Sequence, residues 1–181
     1  MAATGVVPEL SFAVEGAAPV EHAAVPTLCF ALRVSAPEGR AIRSVLLDTQ
    51  IQIASRRRRY DAAAEERLFE LFGAPAGWGS TLRTLPWTRT TSVVPPFTGS
   101  TVVDVLVPCS YDLHVVASRY FDALRDGDVP LEFLFSGTVF ADASPGLPGP
   151  AVQAEMSSSS STCVAPMTAI RCPLTVRRNG R

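Results

Sequence analysis

A chain of 181 residues is long enough for one domain with a buried core and too short for two roomy ones. Apolar residues make up 47% and charged residues 18%, which excludes a disordered chain. The net charge of −1 excludes a global field that draws in nucleic acid or an anionic membrane.

The first strand is read at Leu10–Val14, where Leu10, Phe12 and Val14 alternate with Ser11 and Ala13. A second spans about Thr27–Val34, with Leu28, Phe30, Leu32 and Val34 on one face. A third follows over about Ile42–Ile53: Val45, Leu47, Ile51 and Ile53 share one face, and Asp48, Gln50 and Gln52 the other. Such alternation suits a sheet with one wet side.

The period then changes. Asp61 is placed to cap a helix over about 62–72, in which Ala64, Leu68, Leu71 and Phe72 recur at helical spacing. Gly73 fits just past its end and Pro75 blocks continuation. Packed on the core, this helix should cover an open side or edge of the sheets. Strands resume at about Trp87–Val94 and Thr101–Val107, with Asp104 on the wet face of the latter. Tyr111, Leu113 and Val115 alternate, and a short helix follows over about 116–125. The last confident strand is Leu131–Phe140, with a bulge marked by Gly137. This order predicts a mainly β fold: an antiparallel β-sandwich of about seven strands with two helical insertions. The expected core comprises Leu10, Phe12, Leu28, Phe30, Leu32, Val45, Leu47, Ile51, Ile53, Val103, Val105, Leu131, Phe133 and Phe135.

Residues 1–142 read as the sandwich, and 143–181 as a Pro/Gly/Ser-rich linker with a disordered tail. Ser157–Ser161 is a homopolymeric run. Charge reverses there: 12 Arg against 16 acidic residues before position 151, four Arg against Glu155 after it. The chain has no lysine and a single asparagine, Asn179, the usage of a GC-rich gene. A shifted reading frame in such a gene would produce a tail of this composition.

No segment approaches the ~20 continuous apolar residues of a membrane span. The absence of a basic n-region before an apolar stretch points to a cytoplasmic protein, with Cys29, Cys109, Cys163 and Cys172 reduced. Arg56, Arg57, Arg58 and Arg59 offer a contact for an anion or a partner. Without a basic domain around them they read first as a solvated loop, not a nucleic-acid site. Cys109, Asp112 and His114 match no zinc spacing, since Cys109 falls on the opposite strand face. No Gly-x-Ser-x-Gly elbow and no phosphate-binding lysine loop is present, so no catalytic residue, metal site or cofactor is assigned. Trp78 and Trp87, with Phe97, Tyr111 and Tyr120, read as core aromatics or as the lining of a partner surface.

Several blocks carry a family resemblance. They are Pro8-Glu9-Leu10-Ser11-Phe12, Val25-Pro26-Thr27-Leu28, Arg58-Arg59-Tyr60-Asp61, Val94-Pro95-Pro96-Phe97-Thr98-Gly99, Val107-Pro108-Cys109-Ser110-Tyr111-Asp112 and Val129–Phe140. Over about residues 8–142 the chain resembles an uncharacterised actinobacterial family, a domain of unknown function whose genes tend to lie near those of high-affinity nickel–iron hydrogenases. The resemblance implies a non-enzymatic accessory or adaptor role, with a hydrogenase subunit or maturation factor as protein partner. A small-ligand or metal-binding module is the competing expectation. Past about Gly149 the chain departs from the family pattern, which continues with a further strand and an aromatic, amphipathic segment.

Overall fold

The computed structural model describes residues 9–37, 40–109, 115–141, 152–167 and 169–170. Strands β1 (Ser11–Pro19), β2 (Thr27–Ser35) and β3 (Ala41–Ile53) lead into three short helices, α1 (Ala62–Arg67), α2 (Phe69–Phe72) and α3 (Trp78–Thr81). Next come β4 (Leu85–Val94), the two-residue β5 (Phe97–Thr98) and β6 (Ser100–Pro108). Helix α4 (Val115–Ala123), β7 (Asp128–Ala141) and β8 (Val152–Pro166) complete the order. All pairings are antiparallel. One sheet runs β1-β2-β6; the other runs β4-β3-β7-β8, with β5 added to the start of β3.

The period-2 pattern dictates how the sheets stack. Leu28, Phe30, Leu32 and Val34 of β2 face Val45, Leu47, Ile51 and Ile53 of β3 and Leu131, Phe133 and Phe135 of β7 across one buried core. Every residue of the expected core is buried except Val103, which packs against it half-covered. Phe12 stacks on Phe135 at 4.6 Å between ring centroids, and Phe30 meets Phe133 edge-on at 5.1 Å, so aromatic pairs join the two sheets directly.

The helical segments sit at an end of the sandwich, not over a side. β3 finishes at Ile53, paired with Leu85 at the start of β4 and with Leu131 near the start of β7, and the insertions follow from those strand ends. The expected single helix over 62–72 is two pieces meeting at Leu68, whose φ of −87° and ψ of −2° tighten the turn. Leu68 and Phe72 both reach the core. Asp61 caps as expected, its Oδ1 accepting from the Ala64 N–H at 2.6 Å, and Gly73 ends the segment at φ +74°. The second helix begins at Val115 in place of Val116; the strand read at Tyr111–Leu113 lies outside the described residues.

The larger correction concerns the serine-rich segment. Residues 152–166, expected to be disordered, form β8 and pair along the full length of β7, from Val152 opposite Ala141 to Pro166 opposite Asp128. The ladder sets Ser159 opposite Phe135 and Ser161 opposite Phe133. Small side chains suit that place, because β1 lies alongside β8 and Phe12 already covers Phe135. Main-chain hydrogen bonds hold this strand, and a segment of serines supplies those as fully as one of valines. Its end is anchored by the Met167 N–H donating to the Gly127 carbonyl at 2.9 Å, with Ala165, Met167 and Ile170 buried. The expected bulge is also present: the β7–β8 register shifts between Phe135 and Gly137. Gly137 has φ +154°, and a β-carbon there would overlap the Leu46 carbonyl oxygen.

A chain ending at Ala151 would leave β7 as a long unpaired apolar edge. Its melting temperature, followed by circular dichroism, should fall by at least about 10 °C. An unchanged melting temperature would separate β8 from the folded unit.

Candidate functional site

The arginine run leaves β3 through a single 3-10 turn, Ser55–Arg57, and ends where Asp61 caps α1. Two of the four side chains are structural. Arg56 donates from Nε to the Leu82 carbonyl at 2.5 Å and from Nη2 to the Gly79 carbonyl at 3.3 Å, tying the loop to α3. Arg58 donates from Nη1 and Nη2 to the carbonyls of Asp128 and Asp126, at 2.5 and 2.6 Å, closing the loop onto the start of β7. Arg57 and Arg59 are exposed and have no side-chain partner among the described residues.

Beside this loop lies a hollow of about 340 Å³ lined by Arg58, Arg59, Tyr60, Asp61, Arg67 and Arg125, with Asp126, Leu124 and two alanines. Arg67 spends Nε on the Ala123 carbonyl at 2.6 Å. Among the described residues, no arginine lies within ion-pair distance of Asp61 or Asp126. Below the hollow, Tyr60 and Tyr120 share a hydroxyl–hydroxyl bond of 2.7 Å, and the Tyr60 hydroxyl donates to the Ser55 carbonyl at 2.8 Å. Burial raises both phenols above their ordinary value of 10.0, against the opposing pull of the Arg58 charge.

The tryptophans are packing residues. Trp87 is buried between Phe30 and Phe121. Trp78 is half-buried against Tyr60 and Phe72, and its Nε1–H donates to the Gly73 carbonyl at 2.9 Å. Cys109 is buried, and burial pushes its thiol up to about 11. Asp112 and His114, its expected companions, lie outside the described residues, among which no three metal-ligating side chains converge.

A surface that the sequence reading passed over is the outer face of the β1-β2-β6 sheet. Register places Ala13, Arg33 and Val102 in one row across it, and Ala18, Cys29 and Leu106 in another. Val102 and Leu106 are 46% and 50% exposed. Its charges are the Glu15–Arg33 ion pair at 2.6 Å and Asp104, which stands between Val102 and Leu106 along β6. Burial and the adjacent Asp104 raise the Cys29 thiol to about 11, so it is protonated near neutrality. The signal was present in Val102-Val103-Asp104-Val105-Leu106-Val107, where Val102 and Leu106 are apolar at the same parity as Asp104.

The model of a family of unknown function, DUF6084, matches residues 7–168. The match takes in β8, so the serine run falls inside the family pattern and does not depart from it. No curated protein matches the sequence. Among solved structures, the chain is similar to the solution structure of a protein provisionally assigned as late embryogenesis abundant, at 15% identity and TM-score 0.36, covering 88% of this chain and 73% of that one. It is also similar to part of a β-glucosidase from Kluyveromyces marxianus, at 5% identity and TM-score 0.27, covering 87% of this chain and 15% of that one. At these scores neither bears on activity.

Two outcomes follow from the site's chemistry. Arg58→Ala removes two charged donors from the Asp126 and Asp128 carbonyls and should cost about 1–3 kcal/mol in urea unfolding, while Arg57→Ala should change stability by less than about 0.5 kcal/mol. Stability should also fall in alkali. Cys29 and Cys109 titrate at about 11 when folded and near 9.0 when unfolded, and both buried phenols are raised above 10.0. Above pH 9 the unfolded chain therefore holds fewer protons than the folded one. The stabilisation, complete below that pH, is lost as pH climbs toward the folded values. Urea midpoints measured from pH 8 upward should decline from about pH 9; a flat profile would contradict these shifts.

Proposed function

We propose, for a chain that belongs to the DUF6084 family of unknown function, a non-enzymatic accessory role in which the outer face of the β1-β2-β6 sheet docks a protein partner. The observation that carries this reading is that half-exposed Val102 and Leu106 share the outer face of this sheet with the small residues Ala13, Ala18, Cys29 and Ala31. Exposed apolar side chains on a sheet surface are what a partner's sheet or helix buries, and small neighbours let the two backbones approach closely. The Glu15–Arg33 pair and Asp104 supply polar contacts that fix orientation.

The partner class follows from the resemblance read in the sequence: a nickel–iron hydrogenase subunit or maturation factor in an actinobacterial cytoplasm. The experiment is affinity capture from the native organism with the wild-type chain and with Leu106→Asp. Wild type should retain a hydrogenase component, and the variant should lose it at unchanged melting temperature. Recovery of no hydrogenase component, with stoichiometric metal in the purified chain instead, would favour the metal-binding module.

A further inference from the structure

The hollow at the helical end is independent of the docking face. Four guanidinium groups, those of Arg58, Arg59, Arg67 and Arg125, line it against two carboxylates, Asp61 and Asp126. This is a local excess of positive charge on a chain whose net charge is −1. The arginines are unequally committed. Arg58 is anchored on two carbonyls and Arg67 on one through Nε, its two terminal nitrogens holding no partner among the described residues. Arg59 and Arg125 have no hydrogen bond or ion pair among the described residues.

Like charges brought to one small concavity repel one another unless an anion joins them. Guanidinium groups meet phosphate oxygens through paired, charge-assisted bonds. The excess of two positive charges matches a phosphomonoester, which carries about −1.5 to −2 near neutrality. The volume of about 340 Å³ suits a small molecule. Asp61 spends only Oδ1 on capping and keeps Oδ2 as an acceptor, and Asp126 is a second carboxylate at the rim. Carboxylates repel a bare anion but accept from hydroxyl groups.

We propose that this hollow binds a small phosphorylated molecule bearing hydroxyl groups, with Arg59, Arg67 and Arg125 on the phosphate and the two aspartates on the hydroxyls. The test is calorimetric titration of the full chain with ribose 5-phosphate, inorganic phosphate and ribose, repeated with the double variant Arg59→Gln/Arg125→Gln. Neither replaced side chain holds a partner, so the ligand-free melting temperature should be unchanged. Ribose 5-phosphate should bind more tightly than inorganic phosphate, ribose should not bind, and the double variant should weaken binding by at least about tenfold. Equal affinity for inorganic phosphate overturns the organic ligand. Absence of binding at about 10 mM, or binding that the double variant retains, overturns the site. A glutamate-rich peptide bound more tightly than ribose 5-phosphate would give the groove to a polypeptide instead.

Discussion

The alternation of β7 is the constraint on which the fold rests. Its neighbours are β3 on one side and β8 on the other, and its inward Leu131, Phe133 and Phe135 are almost completely buried. Phe133 and Phe135 meet Phe30 and Phe12 from the opposite sheet. Each such aromatic pair contributes about 0.5–1.5 kcal/mol beyond the area it buries, and its geometry sets how the sheets approach. A slip of one residue in β7 would turn three large apolar side chains to solvent and break both ladders together.

That central strand explains how a weak strand is tolerated beside it. β8 brings few large side chains, so its place depends on a template that is already rigid. The same logic applies at the helical end. The arginine run shows two uses of one residue type within four positions. Arg56 and Arg58 replace missing main-chain partners where loops meet, and the guanidinium fork suits paired carbonyls. Arg59, next in sequence, projects into the hollow without such a partner. Clustering of basic residues therefore reflects an architectural need and a chemical opportunity at one place.

The strands around the core were legible because burial on one face leaves a period of two, as in Leu28, Phe30, Leu32 and Val34. The Asp61 cap and the glycines at 73 and 137 were legible for local stereochemical reasons. β8 was not, because its affinity for the sheet lies in main-chain groups that every residue type carries, and Ser157–Ser161 has no apolar period to reveal them. The hollow was half legible. Arg58 and Arg59 stood out as a run, but Arg67 and Arg125 join them only through the folding of α1 and α4, a proximity without a sequence signature. Val102 and Leu106 are apolar residues at solvent-facing positions, and Asp104 between them gives that face of β6 the polar mark of an ordinary wet face.

Gly137 carries one more consequence. Its α-carbon passes so close to the Leu46 carbonyl that the sheet tolerates no side chain there, while the β8 ladder slips by a residue immediately beside it. The inward frame of β7 runs unbroken through that point, from Phe133 and Phe135 to Val139 and Ala141, so the extra residue of the bulge lies on β8. At the glycine, β7 keeps one frame against β3 while its other neighbour, β8, changes register. Over evolutionary time, insertions and deletions should be excluded from the stretch Leu131 to Ala141, which keeps a fixed length in every relative that shares the fold.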